Sequence, residues 1–318
     1  MAIQGIHHIT ALASDPQANL DFYVSFLGLR LVKQTINFDA PEVYHLYYGD
    51  ELGRPGTILT FFPFPDALRG KRGTGETSAV AFSIPTGSLE FWIERLSRKG
   101  IEFSGPFTRF GEQAVSFDDL DGMKVELFAD PSAEGVDGWA GSIVGPLHSI
   151  RRFHGATFTH RDPGRSAAFL TDVMGFARAG TEGNRHRFVA GPEDARARID
   201  ILADPAAPPA RQSAGSVHHI AWRAKDDQEQ LAWRKDLLKA GASPTPVVDR
   251  SYFHSVYFHE PGGVLFEIAT DPPGFAVDET VDNLGTQLKL PPWLESERPL
   301  IERHLPPITV PAPARADA

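Results

Sequence analysis

LFEIATDP, residues 265–272, is an apolar run that carries an acid and ends in a proline turn, and the chain repeats this figure. Its counterparts are TILTFFPFP at 57–65, KVELFADP at 124–131 and RIDILADP at 198–205. A short apolar run closed by a turn signal reads as a strand, and recurrence at intervals marks a repeated supersecondary unit. Counting five residues back from Pro65, Pro131, Pro205 and Pro272 lands on Thr60, Glu126, Asp200 and Glu267, so three of the four copies carry a carboxylate at one place.

The copies also open alike. HHITALASD at 7–15 leads into PQANLDFYVSFLGL, and HHIAWRAKD at 218–226 leads into DQEQLAWRKDLLKAGA. Each is an alternating strand followed by apolar residues three or four apart and a glycine stop, the pattern of a helix. The corresponding helices of the middle copies are SLEFWIERLSRKG and PGRSAAFLTDVMGF. A strand, a helix and further strands make a unit of roughly sixty residues, repeated four times, which predicts an α+β fold.

This register aligns side chains that are remote in the chain. Seven residues before Asp15 and Asp226 stand His8 and His219, the second histidine of each pair. Aligning Phe169 with Phe22 puts Gly155 at this place in the third copy, and in the second copy it falls on Ser78 or Ala79. A lone buried histidine is more often a hydrogen-bonded core residue than a ligand, and structural histidines beside a turn carboxylate are the plain alternative. Two histidines in one register, with Glu267 on the last strand of the fourth copy, favour a metal site. Two imidazoles and a carboxylate are the usual set that holds a ferrous ion and leaves positions open for oxygen and a substrate.

Composition narrows the classes. The chain has 318 residues, 42% hydrophobic, enough for a large core and two domains of ordinary size. A formal charge of −10 disfavours nucleic acid and anionic membranes as partners. Without cysteine there are no disulfides, thiolate ligands or iron–sulfur clusters, so any metal is held by nitrogen and oxygen. MAIQGIHHITALASD has neither a basic leader nor a signal-peptide core, and no segment has the length to cross a bilayer, so cytoplasm is the expected location. The small-residue stretch 132–149 reads as a connector and predicts halves at 1–148, with modules one and two, and 149–318, with modules three and four and a tail. The tail from about residue 276 is expected to cover a module or a partner subunit through ESERPLIERHL, with PPITVPAPARADA ending in disorder.

On these stretches the chain resembles the vicinal oxygen chelate, or glyoxalase-like, superfamily. More narrowly it resembles the iron-dependent ring-cleaving dioxygenases that act on hydroquinones, through GIHHIT at 5–10, GSVHHIAWR at 215–223, residues 249–275 and residues 284–308. The resemblance implies four βαβββ modules forming two metal-chelate-type barrels. It implies Fe(II), with Mn(II) as a substitute, held by His8, His219 and Glu267, and a homo-oligomer. It also implies a small aromatic para-diol and O₂ as substrates, both oxygen atoms entering the ring-opened product, with His7, Thr10, His218, Arg250 and Tyr257 as catalytic candidates. Tyr257 stands ten residues before Glu267, a spacing that suits neighbouring strands joined at EPGG. His7 and His218 alternate with the ligands, so they need a bulge to reach a substrate and serve equally well to orient the ligands. The aromatic residues of FFPFP at 61–65, with Phe253, Phe258 and Phe266, are expected to divide between pocket and core.

Catechol-cleaving relatives take a histidine from module three, where Gly155 stands here. His154 is one residue out of register and is not counted as a ligand. A glyoxalase-like isomerase or thiol transferase needs four protein donors, and Thr60 is a poor fourth. A ligand-sequestering protein on the same scaffold would lack the complete triad.

Overall fold

The order strand, helix, three strands is realised four times in the computed structural model, which describes residues 1–312. Module one runs β1 (Ile6–Ala13), α1 (Pro16–Leu20) continuing as π-helical turns over Asp21–Phe26, β2 (Arg30–Asn37), β3 (Ala40–Gly49) and β4 (Ile58–Pro63). Module two runs β5 (Glu76–Ile84), α2 (Leu89–Arg98), β6 (Phe103–Arg109), β7 (Glu112–Asp118) and β8 (Lys124–Ala129). Module three runs β9 (Arg152–His160), α3 (Gly164–Asp172), β10 (Ala177–Glu182), β11 (Arg185–Ala190) and β12 (Ala197–Ala203). Module four runs β13 (Val217–Ala224), α4 (Asp227–Lys239), β14 (Val248–Asp249), β15 (Phe253–His259) and β16 (Leu265–Pro273), and α5 (Arg298–His304) follows in the tail.

The helices begin where their caps dictate. Asp15 accepts a hydrogen bond from Ala18 N at 2.7 Å with Pro16 at the first helical position, and Asp226 accepts one from Glu229 N at 2.9 Å. The two aspartates that set the histidine register are therefore equivalent N-caps.

In every module the first strand lies parallel to the last, and its other edge joins antiparallel to the first strand of a different module. That pairing covers an edge that would otherwise be open. One curled sheet has the order β14-β15-β16-β13-β1-β4-β3-β2 and the other β10-β11-β12-β9-β5-β8-β7-β6. Outer modules one and four thus share a sheet, and inner modules two and three share the other. Each sheet draws four strands from either side of the 132–149 connector, so position 148 divides the chain into halves without dividing the sheets.

Thr10 lies opposite Thr60, Ala81 opposite Glu126, Thr157 opposite Asp200 and Ala221 opposite Glu267. Two residues earlier on each first strand stand His8, Ala79, Gly155 and His219, which settles the second copy on Ala79. Register shifts place one extra residue in each first strand: His7 in β1, His218 in β13, Ser78 in β5 and His154 in β9. These are β-bulges, which turn a side chain away from strict alternation.

Both sheets contribute to one apolar core that takes in Trp92, Trp222 and Trp233. The described part of the tail covers module one. Lys33 of β2 is fully buried and its Nζ meets Asp278 at 2.5 Å and Glu279. Leu288 bridges beside Gln34, Tyr44 donates to Pro306 O at 3.0 Å, and Thr309 exchanges two backbone hydrogen bonds with the Gln17 amide. The PPITV segment belongs to this cover, because Ile308 and Val310 pack on the core. Residues 313–318, on which the expectation of a disordered end falls, lie outside the described residues. Among the described residues no helix is long and apolar enough to cross a membrane.

Candidate metal centre

The four equivalent last- and first-strand positions converge on the neighbouring strands β16, β13, β1 and β4 of the outer sheet. His219 Nε2 stands 2.9 Å and His8 Nε2 3.3 Å from Glu267 Oε2, and the two nitrogens are 3.3 Å apart. The three donor atoms lie within 4.8 Å of one another, all three residues buried. Glu267 Oε1 accepts a hydrogen bond from Ser255 Oγ. Its Oε2 is buried and has no hydrogen-bond partner. An orphaned carboxylate oxygen faced by two imidazole nitrogens is costly unless a cation satisfies it, so the donor set fits a divalent metal.

The protonation pattern agrees. His7 Nδ1 meets His8 Nδ1 at 2.9 Å, and His218 Nδ1 meets His219 Nδ1 at 2.8 Å. Each contact uses one proton. With that proton on the inner imidazole, its Nε2 lone pair faces the centre and the bulge histidine accepts, which fixes the ligand's tautomer and orientation. Burial, then the adjacent histidine, lowers His7 and His218 to about 3, keeping both neutral and able to accept. Burial also lowers His219, against the pull of Glu267. For Glu267 burial acts upward, but His8 and His219 outweigh it and hold the carboxyl well below the usual range, so the oxygen is anionic.

A cavity of about 300 Å³ opens over His8 and His219. Phe38, Phe62, Phe64 and Phe253 give it aromatic walls, and His218, Arg250 and Tyr257 give it polar groups. Phe61, Phe258 and Phe266 lie in the core instead. Tyr257 faces Glu267 directly across β15–β16, the pairing expected from the EPGG turn. Arg250 Nε donates to Tyr257 OH at 3.2 Å, and its Nη2 pairs with Asp39 at 3.0 Å. Burial, then the Glu267 charge, pushes the Tyr257 phenol above its ordinary value, so it keeps its proton near neutral pH.

Two candidates stand elsewhere. Thr10 Oγ meets Thr60 Oγ at 2.9 Å, fully buried, outside the cavity lining. His7 is turned away from this cavity and lines a separate one beside Phe253 and Phe275.

His45 is a residue of the cavity lining that sequence reasoning missed. Its Nε2 meets Thr60 Oγ at 2.8 Å and its Nδ1 meets Tyr47 OH at 2.7 Å, and both His45 and Tyr47 line the cavity. Burial, then the charges of His8 and His219, lowers His45 well below its ordinary value. The alternation in YHLYY, residues 44–48, carries the signal: His45 and Tyr47 share a face, and Tyr47 lies opposite Thr60. Ser255 was missed as well.

In the inner sheet the same positions are neutralised. Glu126 receives both terminal nitrogens of Arg109 at 2.6 and 2.8 Å, and Asp200 is held by Arg187 Nε at 2.8 Å and by Arg185 at 3.3 Å. His154 Nε2 meets Glu112 at 3.0 Å, and its ring stacks on Phe128 with centroids 4.1 Å apart. These acids have guanidinium partners where the outer sheet has imidazoles.

A sequence profile of the Glyoxalase/Bleomycin resistance protein/Dioxygenase superfamily matches residues 5–127 and 152–268. MhqO of Bacillus subtilis (strain 168), provisionally named a ring-cleaving dioxygenase, is 45% identical over 309 residues, covering 96% of this chain and 97% of that protein. The chlorohydroquinone/hydroquinone 1,2-dioxygenase of Sphingobium indicum is 36% identical over 301 residues, covering 92% of this chain and 93% of that protein. A crystal structure of a Bacillus subtilis protein, provisionally described as a dioxygenase, superposes with a TM-score of 0.93 at 44% identity, covering 98% of this chain and 99% of that one. Maize glyoxalase I, at 13% identity and a TM-score of 0.62, covering 84% of this chain and 92% of its own, shares the fold.

Proposed function

The chain belongs to the glyoxalase/bleomycin resistance protein/dioxygenase superfamily, and from that premise we propose that it is an Fe(II)-dependent dioxygenase that opens the ring of hydroquinone-type substrates with both atoms of O₂. The observation that carries this reading is the triad of His8, His219 and Glu267 at the base of an aromatic-walled cavity. Ferrous iron bound there would supply the electrons for oxygen activation and a seat for a phenolate. The fourth equivalent position, Thr60, is tied to Thr10 and His45 by hydrogen bonds, so three protein donors leave coordination positions for both substrates.

The chain's own residues handle protons and orientation. His218 borders the cavity and its Nδ1 accepts from His219, so its Nε2 carries the ring's proton and is the atom that donates a hydrogen bond to a substrate oxygen. Arg250, anchored by Asp39, holds anionic charge as it develops and orients the Tyr257 hydroxyl toward the ring. The phenylalanine walls exclude water and select a flat apolar body. The name of the Sphingobium relative, a hydroquinone dioxygenase, supports the para-diol class.

Against catechol cleavage stands Gly155, where a Cβ would meet Arg198 O at 2.0 Å, leaving no room for a module-three histidine. Anaerobic reconstitution with Fe(II), followed by oxygen uptake on hydroquinone, catechol and a methylglyoxal–thiol adduct, tests the proposal. Oxygen consumption with hydroquinone alone is the expected result. Turnover of catechol in preference, or isomerisation of the adduct without oxygen uptake, overturns it.

A further inference from the structure

A second cavity, of about 180 Å³, lies where the two sheets meet, and five of its lining residues are arginines: Arg54, Arg151, Arg152, Arg196 and Arg223. In a chain of net charge −10 such a concentration of guanidinium is local, not a general tendency. Two of the five are neutralised, Arg54 by Asp50 at 2.8 Å and Arg223 by Asp271 at 2.8 Å. Among the described residues no carboxylate stands within ion-pair distance, 4.0 Å, of Arg151, Arg152 or Arg196. Asp194 lines the cavity too, but its contact with Arg152 is made by the backbone oxygen.

Arg151 is the telling residue. It is only 9% exposed, each of its Nη atoms gives one N–H to Ser149 Oγ or Pro146 O and keeps a second, and its Nε is buried with no hydrogen-bond partner. Burial lowers its pKa, and only the more distant Asp137 and Glu134 act upward. An unpaired buried charge with an orphaned donor is destabilising unless a counter-ion meets it. Arg196 makes no side-chain hydrogen bond or ion pair among the described residues, so its fork is free.

We propose that this cavity binds a compact oxyanion, a phosphate or carboxylate group, with Arg151 and Arg196 as its donors. The volume holds a single such group with a short substituent. The site is separate from the metal centre: Ile6 of β1 lines it, two residues from His8, while the catalytic cavity opens elsewhere on the sheet.

Isothermal titration calorimetry of the full-length metal-loaded protein, with inorganic phosphate and with maleate at constant ionic strength, tests it. Saturable binding is expected, weakened about tenfold in Arg196→Ala, the fold-change expected from losing one charged hydrogen bond. Tighter phosphate binding identifies a phosphate-type ligand, and tighter maleate binding a carboxylate. Any anion bound at the metal persists in that variant, so the difference reads the arginine cavity alone. Absence of saturable binding by either anion, or affinity unchanged both in Arg196→Ala and in a folded Arg151→Gln, overturns the proposal.

Discussion

Glu267 is the one anionic donor of the triad, so its replacement is the sharpest perturbation available at a single residue. Glu267→Gln is expected to lower metal retention by more than about tenfold, with an unchanged circular dichroism spectrum, because it removes charge without volume. Metal content after gel filtration against a chelator checks this. Ser255→Ala leaves every donor in place but frees Glu267 Oε1 from its hydrogen bond, and is expected to weaken metal affinity by about 10–100-fold. Full metal content in both variants would remove the triad from consideration. The three candidate donors were legible in the sequence because Glu267 counts back from a recurring proline, and His8 and His219 count back from the equivalent aspartates Asp15 and Asp226. Ser255 and His45 were not, although they hold equivalent places two residues before Tyr257 and Tyr47, because the repeat was registered on the first and last strands of each module and not on the strand between them.

Strands explain why adjacent histidines cooperate. In strict alternation His7 and His8 face opposite ways, and the bulge in each first strand lets their Nδ1 atoms meet. Bulges were not readable from the sequence, because an extra residue in one strand leaves the apolar pattern of its own chain almost unchanged and shows only against its partner. The same holds for which modules share a sheet: the repeat gives four equivalent units, but their pairing depends on whose first-strand edges meet. Between β9 and β12 the strands approach so closely at Gly155 that any side chain strikes the Arg198 carbonyl. Gly155→Ala is therefore expected to destabilise by about 1–3 kcal/mol, read from the urea midpoint, and Gly155→His to confer no catechol turnover. A neutral Gly155→Ala would show that the two strands yield.

At the scale of the whole molecule, acid stability follows from the buried titrating groups taken together. His7 and His218 fall from 6.5 to about 3 on folding, so their contribution is complete above pH 6.5 and is lost as pH drops toward 3, when the unfolded chain takes up protons that the folded one refuses. Each contributes up to about 1.4 kcal/mol per pH unit in that window. Glu267 acts in the same direction, while Asp119, raised from 3.8 to about 6, opposes it over that narrower span. Metal-free protein is thus expected to lose stability steadily below pH 6.5 in urea titrations, and a flat profile contradicts the burial of these imidazoles. The tail makes its own demand. Glu279→Gln, which halves the counter-charge on the fully buried Lys33, is expected to cost about 3 kcal/mol in the same assay, whereas a surface pair would cost almost nothing. The outer-with-outer, inner-with-inner pairing of modules has a temporal side. On the ribosome the middle of the chain can complete its sheet while the first module still waits, and the ligand from the opening strand meets its two companions only after the closing module has emerged. On the proposed metal reading, cation loading is accordingly a late event in biogenesis, and the newborn first module is the portion most in need of shelter.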